Sequence, residues 1–197
     1  MSIVRACFLD RDGTLNQEKG YIRNVEDLAL IDGAAQAVKR LNEAGVLAIL
    51  TTNQTGAARG FYDEAHIQAL HHRLEQLLWD EAEAKLDAIF YCPHYPRGMV
   101  EQYTTDCTCR KPAIGMITQA CEQFPAISLA QSVVMGDKAS DVELAHNAGC
   151  HSVLLKTGYG QAVLDGRYQS LTHQPTWVCD DVLAGVDAFL SKAPLSV

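Results

Sequence analysis

Two aspartates one residue apart, Asp10 and Asp12, stand directly after an apolar run from Ile3 to Leu9, in the string Asp10-Arg11-Asp12-Gly13-Thr14. Carboxylates this close, where a buried strand meets a loop, repel each other and lose hydration. That is costly unless a cation and a substrate share the site. A strand leading into a polar turn would use the same residue types, since Asp and Gly are common in turns. Two further polar clusters follow apolar runs downstream, Thr51-Thr52-Asn53-Gln54 and Gly136-Asp137-Lys138. Each alone also reads plainly, as a turn or as a helix N-cap.

A second constellation is Cys92-Pro93-His94, followed after the polar stretch Tyr95 to Asp106 by Cys107-Thr108-Cys109. One imidazole and three thiolates make a closed tetrahedral set of soft ligands suited to Zn²⁺. With no open position, such a centre is structural. It would staple a loop of about residues 92–109 that shows no core pattern of its own. Three buried cysteines and a surface histidine are the plain alternative. Arg110-Lys111-Pro112 follows the last ligand, so the staple would aim two cations.

The elements that must position these groups are legible as alternating patterns. Short aliphatic runs predict strands at 3–9, 46–51, 87–91, 132–136, 151–155 and 176–179. Helical spacing predicts helices over 34–44, 113–124, 139–149 and 181–191, and a longer one after Asp63 carrying Ile67, Leu70, Leu74, Leu77 and Leu78 on one face. Ala193 to Val197 are expected to fray. Strands alternating with helices predict a doubly wound, parallel α/β sheet in one domain spanning 1–197. In such sheets ligands sit beyond the carboxyl ends of the strands, where the three polar clusters would meet.

Bulk properties narrow the partners. A net charge of -8, with 48% apolar and 20% charged residues, argues against a nucleic-acid or membrane-surface binder. An anionic substrate then needs a local basic site. No run approaches membrane-spanning length and no basic-then-apolar leader is seen, so a cytoplasmic location is expected, with a monomer as the default state. The odd number of cysteines, 7, fits a reducing compartment, with Cys7, Cys121, Cys150 and Cys179 as small core residues.

Taken together, Asp10-x-Asp12-Gly13-Thr14, Thr52 at a strand end, Lys111 and Gly136-Asp137-x-x-x-Asp141 resemble the haloacid dehalogenase superfamily of phosphohydrolases, over Phe8 to Gly160. The resemblance implies an Asp10 nucleophile that forms an aspartyl-phosphate, and Asp12 as acid and then base. It implies Mg²⁺ held by Asp10, the Asp12 carbonyl and Asp137 through hard oxygen ligands. Thr52 and Lys111 would hold the transferring phosphoryl group, and Asp141 would orient Lys111 or metal-bound water.

The zinc loop is similar to that of the branch containing heptose-bisphosphate and histidinol-phosphate phosphatases. The interval between its paired ligands and the string Thr52 to Gly60 are closer to the heptose enzymes, with Thr55 where Ser is usual and Ala57 where Ile is usual. The expectation is removal of the C7 phosphate of a heptose bisphosphate, on the route to lipopolysaccharide. Hydrolysis of histidinol phosphate and a non-catalytic phosphate-binding module are the alternatives. By the same resemblance Glu18, Lys19, Gly20, Tyr21, Asn53, Gln54, Thr55, Arg110 and Lys138 would contact substrate. Arg11 and Arg59 are weaker candidates for substrate contact, and the structural reading is favoured for both. The gaps between motifs leave no room for a large cap domain.

Overall fold

The apolar runs form six strands, Ala6–Leu9 (β1), Leu47–Asn53 (β2), Ala88–Cys92 (β3), Val133–Gly136 (β4), His151–Leu155 (β5) and Trp177–Cys179 (β6). In this computed structural model, which describes residues 3–192, all pairings are parallel and the spatial order is β3-β2-β1-β4-β5-β6. The segment expected to fray lies outside the described residues. The helices are Ala34–Glu43 (α1), Glu64–Ala82 (α2), Gly115–Gln123 (α3), Ala139–Ala148 (α4), Gly160–Leu164 (α5) and Val182–Lys192 (α6).

Both faces of the sheet are covered, as crossover helices demand. On one face Cys7, Leu9, Ala48, Leu50, Met135 and Val153 pack against α1, α2 and α6 through residues such as Val38, Leu70, Leu74 and Phe189. On the other, Ala6, Phe8, Ile49 and Val134 meet Ile117, Ala120, Leu144 and Ala145 of α3 and α4. The alternation follows from the two-residue period of a strand. Each fully buried side chain the size of Phe8 or Leu50 stabilises the fold by about 1.5–3 kcal/mol.

The N-cap expected for α2 is in place, with the Asp63 side chain accepting from the His66 N–H at 2.9 Å. Its face buries Ile67, Leu70, Leu74 and Leu78, while Leu77 is partly covered. The strand expected at 46–51 runs on to Asn53, because Thr51, Thr52 and Asn53 pair with Phe90, Tyr91 and Cys92 of β3. No described helix is long and apolar enough to cross a membrane.

Register decides what meets at the sheet edge. Leu9 pairs with both Leu50 and Met135, so β1, β2 and β4 deliver their next residues at one level. The Asp10 N–H donates to the Met135 carbonyl at 2.9 Å, tying the first loop to the fourth strand.

Candidate active site

Asp10, Asp137 and Asp141 bring carboxylate oxygens within 4.8 Å of one another, at the ends of β1 and β4 and in the first turn of α4. All three are buried, and two lysines answer their charge. Lys111 Nζ lies 2.9 Å from Asp10 Oδ1 and 2.6 Å from Asp141 Oδ1, and donates to the Thr51 carbonyl at 2.9 Å. Lys138 Nζ lies 2.9 Å from Asp137 Oδ1, 3.2 Å from the Asp12 carbonyl and 3.4 Å from Asp10 Oδ2.

This pattern separates the carboxyl groups electrostatically. Burial alone would raise Asp10, but the Lys111 and Lys138 ammoniums outweigh it and hold the group well below the carboxylate range. Asp137 goes the other way. Burial, reinforced by the charges of Asp10 and Asp141 and opposed by Lys138, pushes it up to about 7. Burial also raises Asp141. An ionised Asp10 beside a buried cation is the state a nucleophile needs.

The loops close tightly around Asp137. Its Oδ2 accepts from the Tyr159 N–H at 2.8 Å. Gly13, at φ +82°, and Gly158, at φ +53°, flank it so closely that a Cβ on either would stand 2.2 or 2.1 Å from that oxygen. Thr157 Oγ1 donates to the Gly13 carbonyl at 2.6 Å, joining the loops after β1 and β5.

Asp12 is not part of the carboxylate triad and has its own partners. Arg11 grips it with Nη2 at 3.0 and 2.9 Å from its two oxygens, while Asn16 donates at 3.0 Å and Gln54 at 2.9 Å. Gln54 Nε2 also donates to Thr52 Oγ1 at 3.0 Å, which directs the threonine proton elsewhere. Asn53 brackets Lys111, accepting from its N–H at 3.0 Å and donating to its carbonyl at 3.3 Å. The lysine is therefore fixed by its backbone as well as by its partners.

The oxygens fit a hard cation, and an ammonium already stands against Asp10 Oδ2, the Asp12 carbonyl and Asp137 Oδ1. The thiolate set fits a soft one. Cys92, Cys107 and Cys109 carry free thiols, and their sulfur atoms with His94 Nδ1 make contacts of 3.0 to 3.7 Å. Ligands about 2.3 Å from a central ion stand about 3.8 Å apart at tetrahedral angles, so the four groups are gathered slightly more tightly than an ion would hold them. Cys92 ends β3, and Gly115 N–H donates to the Thr108 carbonyl at 2.8 Å, which seats the second ligand pair on the start of α3.

Between the two centres lies a cleft of about 310 Å³, whose walls include Asp12, Glu18, Gly20, Tyr21, Asn53, Gln54, Thr55, Arg110 and Lys138. These expected residues are brought together. Two are not. Arg11 is 1% exposed and its guanidinium is engaged by Asp12, so it is corrected from substrate contact to holder of Asp12. Lys19 does not line the cleft; its exposed ammonium donates to the Asp27 carbonyl at 2.8 Å.

The cleft also contains aromatic residues that the motifs did not flag. Tyr95 has two cations over its ring, with the guanidinium carbons of Arg59 and Arg110 at 4.4 and 5.2 Å from its centre. Tyr159 stacks on Tyr168 with centroids 4.3 Å apart. The signal for Tyr159 was available, since it follows β5 at the same sheet edge as the other clusters. Tyr168 lies on an irregular segment, where periodicity is silent.

The chain is similar throughout its length to known proteins. A HAD-hydrolase-like family model matches residues 108–185. The D-glycero-D-manno-heptose-1,7-bisphosphate 7-phosphatase of Thermosynechococcus vestitus is 49% identical over 185 residues, 92% of this chain and 93% of that protein. The D-glycero-beta-D-manno-heptose-1,7-bisphosphate 7-phosphatase of Escherichia coli K12 is 40% identical over 157 residues, 79% of this chain and 81% of that protein. Among solved structures, the D,D-heptose 1,7-bisphosphate phosphatase of B. bronchiseptica, complexed with magnesium and phosphate, superposes with a TM-score of 0.84 at 33% identity, covering 96% of this chain and 100% of that one.

Proposed function

Because the chain belongs to the D-glycero-D-manno-heptose-1,7-bisphosphate 7-phosphatases of the haloacid dehalogenase-like hydrolases, we propose that it removes the C7 phosphate of a heptose 1,7-bisphosphate to give the 1-phosphate. The reaction would serve the cytoplasmic supply of ADP-heptose for lipopolysaccharide. The observation that carries this assignment is the convergence of Asp10, the Asp12 carbonyl and Asp137 on a single cation position, with Lys111 alongside.

Asp10 attacks phosphorus in line, forming an acyl phosphate as the C7 oxygen leaves. Asp12 gives that oxygen its proton, then takes one from the water that cleaves the acyl phosphate and restores Asp10. The hydrogen bonds from Arg11, Asn16 and Gln54 to Asp12 orient it for both transfers. A Mg²⁺ ion held by Asp10, Asp137 and the Asp12 carbonyl supplies neutralisation of the phosphate charge and alignment of its oxygens. Lys111 and the Thr52 hydroxyl stabilise the charge that builds on the phosphoryl oxygens; removing one such donor typically costs about 10²–10³ in rate. Asp141 acts on Lys111, whose ammonium it touches.

Zn²⁺ at Cys92, His94, Cys107 and Cys109 would staple the loop that delivers Arg110 and Lys111. Arg110, over Tyr95, would receive the distal phosphate, where a planar fork of donors suits two oxygens. The Tyr159–Tyr168 pair offers a flat wall to the sugar.

Phosphate release from both anomers of the heptose bisphosphate and from histidinol phosphate, under matched conditions, tests the assignment. A preference of at least about tenfold in kcat/KM for one heptose anomer is expected. A preference for histidinol phosphate would overturn it.

A further inference from the structure

We propose that Lys138 is a built-in occupant of the magnesium position, which the ion must displace before the site can work. The inference rests on the magnesium assignment above. The ammonium meets the oxygens assigned to the ion, namely Asp137 Oδ1 at 2.9 Å, the Asp12 carbonyl at 3.2 Å and Asp10 Oδ2 at 3.4 Å. Mg²⁺ needs its oxygens at about 2.0–2.1 Å in octahedral array. Two cations on one set of oxygens would stand almost in contact, so occupancy is exclusive.

The surroundings explain why the lysine is there. Lys111 is already shared by Asp10 and Asp141, which leaves Asp137, itself 0% exposed, without a cation unless Lys138 supplies one. Lys138 also precedes α4, where the helix dipole disfavours positive charge. The carboxylates outweigh that penalty. Lys111 is locked by backbone and side-chain partners alike, whereas Lys138 keeps 21% side-chain exposure and a flexible stem.

An exit is present. Glu18 Oε2 lies 3.5 Å from the ammonium and the Tyr159 ring centre 5.5 Å away, both toward the cleft. A displaced Lys138 would move from the metal's oxygens to the wall of the substrate cleft. Ion binding and cleft charge are thereby coupled, and by reciprocity an anion in the cleft that draws the lysine out tightens the ion.

Magnesium titration calorimetry on the zinc-loaded protein without substrate, for wild type and Lys138→Met, tests the proposal. The variant is expected to bind Mg²⁺ at least about fivefold more tightly. Equal or weaker binding by the variant would overturn the displacement alone, whereas no Mg²⁺ binding by either protein would overturn the site assignment with it. In case the variant does not fold, the wild type is acetylated with and without Mg²⁺ and each lysine is read by mass spectrometry. Lys138 is expected to react several times faster with the ion present, while Lys111 stays protected in both samples. An unchanged or slower Lys138 would sink the proposal.

Discussion

The two cation centres stand at the same edge of one sheet but are held by different means. The carboxylate centre takes its members from β1, β4 and the start of α4, and its charges are already answered by Lys111 and Lys138. The thiolate centre takes one ligand from the end of β3 and the rest from turns, and three of its four residues are only partly buried. The first is ordered by the fold. The second holds turns together, and an ion bound there would fix the loop between its two ligand pairs. The difference teaches that two candidate metal sites on one sheet edge can stand in opposite relation to stability, one built by the fold and one that would help to build it.

Asp10→Asn breaks the comparison most sharply. Turnover is expected to fall by at least about a thousandfold, as for loss of a nucleophile. Melting of the magnesium-free variant should stay within about 3 °C of wild type, or rise, because two buried carboxylates then face two ammoniums. Calorimetry and phosphate release read the two effects separately. A large loss of stability would show that the first centre is not held by the fold alone.

Cys109→Ser probes the other side. Its melting temperature is expected to drop by roughly 5–10 °C with loss of zinc by elemental analysis. Turnover should fall less than for Asp10→Asn, by up to about a hundredfold, since Lys111 is displaced and not removed. An unshifted melting curve would erase the contrast.

The smallest effect sharpens the acid response. His71 is buried, neither ring nitrogen has a hydrogen-bond partner among the described residues, and burial, helped by the charge of Arg11, holds its pKa down to about 3. A histidine whose folded pKa lies below its unfolded value of about 6.5 stabilises fully above that pH, and the contribution is lost as pH falls toward the folded value. Thermal melts of His71→Gln between pH 7 and pH 4 should therefore decline less steeply than wild type. Parallel curves would mean that the imidazole contributes nothing to acid sensitivity.

The doubly wound sheet, its strand-end clusters and the Cys/His set were all legible, because each rests on short-range pattern or spacing. Other features were not. Thr52 and Asn53 look like turn residues until the ladder to Tyr91 and Cys92 is seen. Arg11 has the chemistry of a phosphate ligand, and only burial against Asp12 removes it from the cleft. The five residues of α5 are too few to show a period. Lys138 was expected in the site, but its choice of oxygens depends on loop closure around Asp137, which no local pattern encodes.

Gly13 and Gly158 carry no functional group, yet the smallest side chain at either would strike the Asp137 carboxylate. Inactivating alleles of the gene will therefore fall on residues that a search for reactive chemistry would pass over. Anyone adapting the scaffold to a new substrate can recast the aromatic walls of the cleft, Tyr21, Tyr159 and Tyr168, but must leave those two positions bare.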